Sequence, residues 1–216
     1  GDLWDSGRRE GNQTSGIEYE GARLTSRMAC FWKVRIWDQD DRVSNWSPSA
    51  RWSMGLLQRG DWSARWISHR DPTLLHQDRQ KLYLPPPRLY RAEFQARPQP
   101  RRAMLYVSAL GDYEARLNGK PVTNSRFTPG WSDYRRRTFY NAFNVTGLLR
   151  DGANALGFTL AEGWYSGYVG YGLLVGQGPY QSGRAFYGKT PALLAQLEVD
   201  YSDGSRQTVA SSPGWK

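Results

Sequence analysis

The stretch "YEARLNGKPV" at residues 113–122 indicates most directly how this chain folds. Apolar and charged side chains alternate from Tyr113 to Leu117, which is the two-residue period of a strand with one buried face. Asn118 and Gly119 follow, and both residue types tolerate the positive φ angle that a type I′ hairpin turn requires. The stretch therefore predicts a β-hairpin.

Alternation of the same kind continues on both sides of this hairpin. It predicts strands at 88–96, 102–109, 112–117, 121–127, 136–143, 154–162, 192–201 and 205–210. One short helical turn is expected within "FNVTGLLRDGAN" (143–154), whereas long helical periodicity is absent. Glycine and proline are plentiful and evenly spread, so the fold class is predicted to be all-β, as a sandwich or barrel.

The first quarter of the chain reads as a separate, smaller module. "FWKVRIW" (31–37) predicts a half-buried strand, and a second strand over 42–53 is interrupted at Pro48. Residues 1–57 offer too few apolar residues to close a sandwich alone. The composition then changes, which predicts a linker at 58–77 and a second domain at 78–216.

The chain carries a formal net charge of +9. A polyanion partner, such as nucleic acid or an acidic polysaccharide, is one interpretation. Most Arg residues are scattered through predicted strands, however, and the densest run, "YRRRTFY", is typical of a solvated strand face. The pattern therefore favours a basic surface on a fragment whose acidic partner domain is missing, and a nucleic-acid partner is not expected. No apolar stretch is long enough to span a membrane.

Few residues are suited to metal or thiol chemistry. Cys30 is the single cysteine, and the apolar run around it predicts a buried side chain. His69 and His76 have no partner at metal-ligand spacing. "DQDD" (38–41) could ligate calcium but is better explained as a β-turn. We therefore predict no metal and no cofactor.

Acidic pairs for glycoside hydrolysis could be drawn from the second domain. The available carboxylates are Asp112, Glu114, Asp133 and Glu162. Turn or surface roles explain each of them, so no catalytic residue is predicted in this chain. Exposed aromatic rings are more informative, because a ring face can stack against the C–H groups of a sugar. "PGWSDY" (129–134) and "GWYSGYVGYG" (163–172) have this character.

Five linked motifs point to a family. In order they are "ALGDY", "NGKPV", "PGWSDY", "NVTGLLRDGAN" and "GWYSG", all within residues 108–167. In this order they closely resemble the amino-terminal β-sandwich of bacterial α-L-rhamnosidases, glycoside hydrolase family 78. The preceding residues, from "LWDSG" to "DWSARWI", resemble the fibronectin-like module that comes before that sandwich.

The resemblance implies a truncated fibronectin-III-like module followed by a galactose-binding-like or jelly-roll sandwich. It also implies a bacterial parent enzyme that removes terminal α-L-rhamnosyl residues with inversion. In the family this chemistry belongs to a later helical barrel, so the expected partners are that barrel and a rhamnose-containing glycan. The compartment stays open, cytoplasmic or secreted/periplasmic.

Candidate sugar-binding or interface residues come from the turn-rich motifs, where a rigid sandwich presents side chains to a partner. They are Tyr113, Asn118, Trp131, Asp133, Tyr134, Trp164 and Tyr165. The alternative for the large aromatics is a place in the core. For the whole chain, the alternative to an accessory region is a separate carbohydrate- or polyanion-binding module.

Overall fold

The computed structural model of the chain describes residues 1–13, 15–69, 85–170 and 184–216. These residues form two compact units, Gly1–Trp62 and Ser63–Lys216. Their regular structure is almost entirely strand, which confirms the all-β prediction. Within this described part, no helix is both long and apolar enough to cross a membrane.

The elements follow one another along the chain with a single short α-helix among the residues described. The strands are β1 (Ala29–Trp32), β2 (Ala50–Ser53), β3 (Ile67–Ser68), β4 (Arg88–Ala96), β5 (Pro100–Leu110), β6 (Asp112–Leu117), β7 (Lys120–Pro121), β8 (Tyr140–Asn144), β9 (Gly152–Ala161), β10 (Ala192–Tyr201) and β11 (Arg206–Ala210). The helix α1 is Gly163–Ser166, and 3₁₀ turns lie at Arg59–Asp61 and Thr146–Leu148.

The first unit contains one antiparallel strand pair and one partly exposed acid, Asp61, with several hydrogen bonds. Strands β1 and β2 pair with Cys30 opposite Trp52, and Cys30 is buried as its apolar surroundings predict. The Asp61 carboxylate accepts hydrogen bonds from the Ser26 hydroxyl and the Gln58 backbone N–H and pairs with Arg27 at 2.7 Å. These bonds lower its pKa to about 2, the Ser26 bond contributing most.

The predicted strand at 31–37 ends early in the structure. Beyond Trp32, the backbone N–H groups of Val34 and Ile36 are taken by the hydroxyls of Ser47 and Ser44. Side chains that bond nearby backbone in this way compete with a regular ladder. Ile36 is consequently 67% exposed, and the half-buried pattern expected for this stretch is not formed.

The second unit contains two antiparallel sheets that form a β-sandwich. One sheet has the order β11-β10-β5-β8, with β3 also paired to β10, and the other has the order β4-β9-β6-β7. Across the first sheet Leu197 lies opposite Leu105, and across the second Leu117 lies opposite Leu156. All four side chains are fully buried, so the apolar faces of both sheets supply the core.

The hairpin at 113–122 has the predicted conformation. Asn118 and Gly119 have φ angles of 54° and 80°, as both central residues of a type I′ turn require. The return strand β7 is only two residues long, although a strand over 121–127 was predicted. The Thr123 hydroxyl accepts the Ser125 backbone N–H, a local turn that stops the ladder.

The predicted linker 58–77 lies partly in secondary structure. Ile67 and Ser68 pair with Leu193 and Ala192 of β10, so this part is joined to the second unit's sheet. Residues 70–77 lie outside the described residues. The domain bounds 1–57 and 78–216 stay a prediction.

Candidate functional site

An aromatic cleft of about 250 Å³ opens beside the second unit's sandwich. We define the aromatic cleft by the residues that line it, which are Trp131, Trp164, Gly167, Val169, Gly170, Phe186 and Tyr187. Three parts of the chain supply them: the loop before β8, helix α1 with the residues after it, and the residues before β10. Trp131 is 57% exposed, so its ring is open to a partner.

One glycine allows the cleft wall to approach Trp164 closely. Gly170 has a φ angle of 89°, and a Cβ atom built on it would lie 2.8 Å from Cδ1 of Trp164. A side chain here would therefore be strained in its backbone and would collide with the indole ring. Gly170 thus allows a close contact between the backbone and an aromatic ring.

Edge-to-face ring contacts hold the walls of the cleft together. Tyr134 packs against Tyr165 and Tyr187 with ring centroids 5.4 Å and 5.0 Å apart, and Phe127 packs against Trp164 at 5.4 Å. This geometry is favourable for aromatic quadrupoles and adds to the burial of apolar area. The loop before β8 is thereby fixed to α1 and to the residues before β10.

A buried ion pair lies behind the aromatic layer. The Arg184 guanidinium pairs with the Glu162 carboxylate, and their side chains are 3% and 14% exposed. Arg184 Nε also donates to the Ser166 carbonyl at 3.3 Å, and the Ala185 N–H donates to the same oxygen at 2.9 Å. These bonds join the segment 184–187 to the end of α1.

Several polar atoms near this layer are buried without a hydrogen-bond partner among the described residues. They include Oδ1 of Asp112, the hydroxyl of Tyr134 and Oγ of Ser166. Burial raises the pKa of Asp112 to about 6. Burial also raises the pKa of Tyr134 to about 12, with smaller contributions from Asp112 and Tyr187. The Asp112 carboxyl is thus held in a place that disfavours its charge.

The raised pKa of Asp112 predicts a pH-dependent effect of Asp112→Asn. Folding favours the protonated acid, so this stabilisation is complete below about pH 4, the ordinary pKa of Asp. It is lost as the pH rises through about 6. We expect Asp112→Asn to raise the Tm at pH 8 by about 2–4 °C, and the gain to vanish near pH 4. Thermal unfolding monitored by circular dichroism measures this, with the exposed Asp151→Asn as control; no gain at pH 8 would contradict it.

The seven sequence-predicted site residues occupy different environments. Trp131 and Trp164 line the aromatic cleft, and Tyr134 and Tyr165 lie half-buried in the ring contacts beside it. Asp133 lies in the same loop, where its carboxylate accepts the Arg135 backbone N–H at 3.1 Å. The cleft region thus brings five of the seven together, and the remaining two do not line it.

Tyr113 and Asn118 make contacts within the sandwich and do not line the cleft. Tyr113 is 3% exposed and packs against Phe158, and its hydroxyl donates to Asn141 at 2.7 Å. Asn118 Nδ2 donates to the Leu148 carbonyl at 2.9 Å, and its Oδ1 accepts the Ala155 N–H at 3.0 Å. Their contacts are those of core and turn residues.

We expect Asn118→Ala to lower the free energy of unfolding by about 2 kcal/mol, because it leaves partly buried backbone groups unpaired and places Ala at a positive φ angle. Urea denaturation followed by tryptophan fluorescence measures the change. Asn124→Ala, at an exposed position of the next loop, is the matched control and should change stability by less than about 0.5 kcal/mol. Equal effects of the two substitutions would contradict the role assigned to Asn118.

The structure adds cleft residues that the sequence motifs did not single out. Phe186 and Tyr187 line the cleft, and the Arg135 guanidinium lies over both rings, 4.9 Å and 5.4 Å from their centroids. "RAFYG" follows a long Gly-rich stretch, so sequence spacing gave no reason to place it beside "PGWSDY". The alternation of aromatic and basic residues in "YRRRTFY" was the available signal for Arg135.

The acidic residues considered for catalysis form ion pairs, stabilise a turn or are buried. Glu162 pairs with Arg184, and Glu114 pairs with Arg126 at 3.0 Å. Asp133 holds its turn and Asp112 is buried. Within the described ranges no group of three or more potential metal ligands comes together.

Comparison with known proteins identifies both units. Residues 98–216 match the family described as the alpha-L-rhamnosidase N-terminal domain, and residues 1–58 match the Rha78A-like, N-terminal immunoglobulin domain. The first of these matches covers more than half of the chain. The order of the two modules is therefore the one that the sequence motifs predict.

Named relatives extend this result. An alpha-L-rhamnosidase of Alteromonas sp. (strain LOR) is 36% identical across the whole chain, and one of Formosa agariphila is 35% identical. The crystal structure of alfa-L-rhamnosidase from Aspergillus terreus aligns with a TM-score of 0.76 at 37% identity, covering 89% of this chain and 21% of that one. The chain spans 22% of the length of the two curated relatives.

Proposed function

Because the chain belongs to the alpha-L-rhamnosidase N-terminal domain family, we propose that it is the accessory β-sandwich region of an α-L-rhamnosidase. The parent enzyme hydrolyses terminal α-L-rhamnosyl residues of glycosides or polysaccharides, with inversion, and the chemistry is carried out by a helical barrel elsewhere in the polypeptide. The observation that best supports this proposal is that the two family matches occur in the expected order. They occur on a chain that spans only 22% of the length of its curated relatives.

The structural surroundings of the acids support a non-catalytic role for these residues. An inverting glycosidase needs two carboxyl groups about 6.5–9.5 Å apart across a sugar-binding cleft. Glu162 and Glu114 are each paired with an Arg, and none of the four acids lines the aromatic cleft. The domain bounds 1–57 and 78–216 are part of this proposal, and the division of the chain after Trp62 supports a boundary close to the end of the first of them.

The aromatic cleft is the proposed contact of this region with the rhamnose-containing glycan. Trp131 supports this role because its ring is exposed, and Trp164 supplies a second ring in the same cleft. Apolar ring faces bind the C–H faces of sugars while indole N–H groups remain available to hydroxyls. Asp133, Tyr134 and Tyr165 then hold the cleft from behind rather than touch the sugar.

The stereochemistry of hydrolysis by the complete polypeptide tests the proposed activity. Proton NMR of a reaction with an aryl α-L-rhamnoside reports the first-formed anomer of free rhamnose. We expect the β-anomer to appear first, followed by slow mutarotation. Release of the α-anomer first would contradict inversion, and no release of rhamnose at all would overturn the proposed activity.

A further inference from the structure

The loop before β8, which supplies Trp131 to the aromatic cleft, is positively charged. Residues 122–139 of this loop contain four Arg residues and one acidic residue, Asp133. An anionic partner would be attracted to this side of the cleft.

Three Arg residues in or beside the segments that form the cleft are paired with particular carboxylates. Arg126 pairs with Glu114 at 3.0 Å, Arg184 pairs with Glu162, and Arg136 lies 3.7 Å from Asp133. Arg135 differs from them, because the described residues place no carboxylate within ion-pair distance of its exposed guanidinium. Its charge is therefore available for a partner.

The position of Arg135 suits a planar anion. Its guanidinium lies over the rings of Phe186 and Tyr187, which also line the cleft. Stacking on aromatic rings orients a guanidinium while leaving its N–H edge open. That edge can donate two parallel hydrogen bonds to a carboxylate, a geometry that gives specificity as well as energy. The Arg135 cation thus lies against two of the rings that line the cleft.

The volume of the cleft limits the size of what it can hold. Drug-sized ligands occupy pockets of about 300–1,000 Å³, whereas this cleft measures about 250 Å³. A single pyranose ring is a better match than a longer ligand. Trp131 and Trp164 are the candidate stacking surfaces, and Arg135 borders the cleft through its contacts with Phe186 and Tyr187.

We propose that the aromatic cleft binds an acidic sugar residue of a glycan, with Arg135 receiving its carboxylate and Trp131 and Trp164 contacting its ring. This inference rests on the proposed function, since it names the kind of sugar that the accessory region recognises in a rhamnose-containing substrate. A uronic acid carries both features that the cleft complements, a pyranose face and a carboxylate.

Affinity electrophoresis of the 216-residue chain tests the proposal with matched polymers. The probes are polygalacturonate, the same polymer after full methyl esterification, and polyphosphate. We expect retardation by polygalacturonate, little by the neutral ester, and a fall in retardation as salt is added. Polyphosphate should bind more weakly than polygalacturonate because it offers no sugar ring to the aromatic surfaces.

Variants distinguish specific contacts of Arg135 and Trp131 from nonspecific attraction to the positive charge of the chain. Arg135→Gln should weaken binding of polygalacturonate by about tenfold, the loss of a charge-assisted bidentate contact. Arg136→Gln removes the same charge one residue away, where the side chain faces Asp133, and should weaken it by about twofold or less. Trp131→Ala changes an exposed side chain, so it should weaken binding without unfolding the chain.

Three results would overturn the inference. Equal binding of polygalacturonate and its ester means that the cleft takes neutral sugars, which leaves the accessory role intact. Absence of saccharide binding, or polyphosphate binding that survives Trp131→Ala, means that the surface is not an acidic-sugar site. Protection of Trp131 from fluorescence quenching in the complete polypeptide would then assign it to an intramolecular interface. Rhamnoside hydrolysis by the complete polypeptide is measured separately, so its failure would be distinguishable.

Discussion

We expect Arg184→Met to lower the free energy of unfolding of the second unit by about 3–5 kcal/mol, the effect of leaving one member of a buried ion pair without its partner. The substitution keeps an unbranched apolar stem but removes the guanidinium from the Glu162 carboxylate. Because the Glu162 side chain is only 14% exposed, water can replace little of the lost interaction. Urea denaturation of the whole chain measures the loss.

A double-mutant cycle distinguishes the ion pair from simple packing. Glu162→Gln alone should also destabilise, because it leaves the Arg184 charge buried. The double variant Glu162→Gln/Arg184→Met should recover part of the loss, since no uncompensated charge remains. Additive effects of the two substitutions would contradict a buried pair. Arg91→Met, at an exposed ion pair on β4, is the control and should cost less than about 1 kcal/mol.

Tyr113→Ala is expected to lower the free energy of unfolding by about 3–5 kcal/mol, as for other large aromatic side chains removed from a core. Tyr113 is 3% exposed, and its ring contacts Phe158 between the two sheets. Tyr113→Phe keeps the ring and loses the hydrogen bond to Asn141, so it should cost about 1 kcal/mol. The two substitutions together separate packing from hydrogen bonding.

Trp131→Ala provides the matched comparison, because it also removes a large aromatic ring suggested by the sequence motifs. Its side chain is 57% exposed, and we expect a loss below about 1 kcal/mol. Thermal unfolding of both variants under one set of conditions measures the contrast. Similar losses for the two would mean that Trp131 is buried in solution, and a small loss for Tyr113→Ala would contradict its place in the core.

The strands were predictable where one face of a sheet is buried throughout. The alternation in 112–117 and 192–201 gave the bounds of β6 and β10, because each inward side chain packs in the core. It failed at 31–37, where Ser44 and Ser47 hydroxyls take the backbone donors. These bonds form only because the chain after residue 37 turns back and brings Ser44 and Ser47 beside the strand. The alternation of apolar residues within 31–37 does not predict that path.

The candidate site was predictable only in part, for a related reason. The motifs supplied Trp131 and Trp164, but similar turn-rich surroundings also suggested Tyr113 and Asn118, which the sandwich uses internally. A turn motif does not reveal which way a side chain points after the sheets have packed. Phe186 reaches the cleft because Arg184 and Glu162 join distant segments, a contact that sequence spacing could not give.

Turnover of an aryl α-L-rhamnoside by the 216-residue chain, beside the complete polypeptide at equal molar concentration, tests the accessory role most directly. We predict release of the aryl group by the complete polypeptide and none above buffer by the chain, because its acids are held in structural pairs and turns. Release by the chain that disappears with Glu114→Gln or Asp133→Asn would contradict this account, since it would place the hydrolytic carboxylates in these residues.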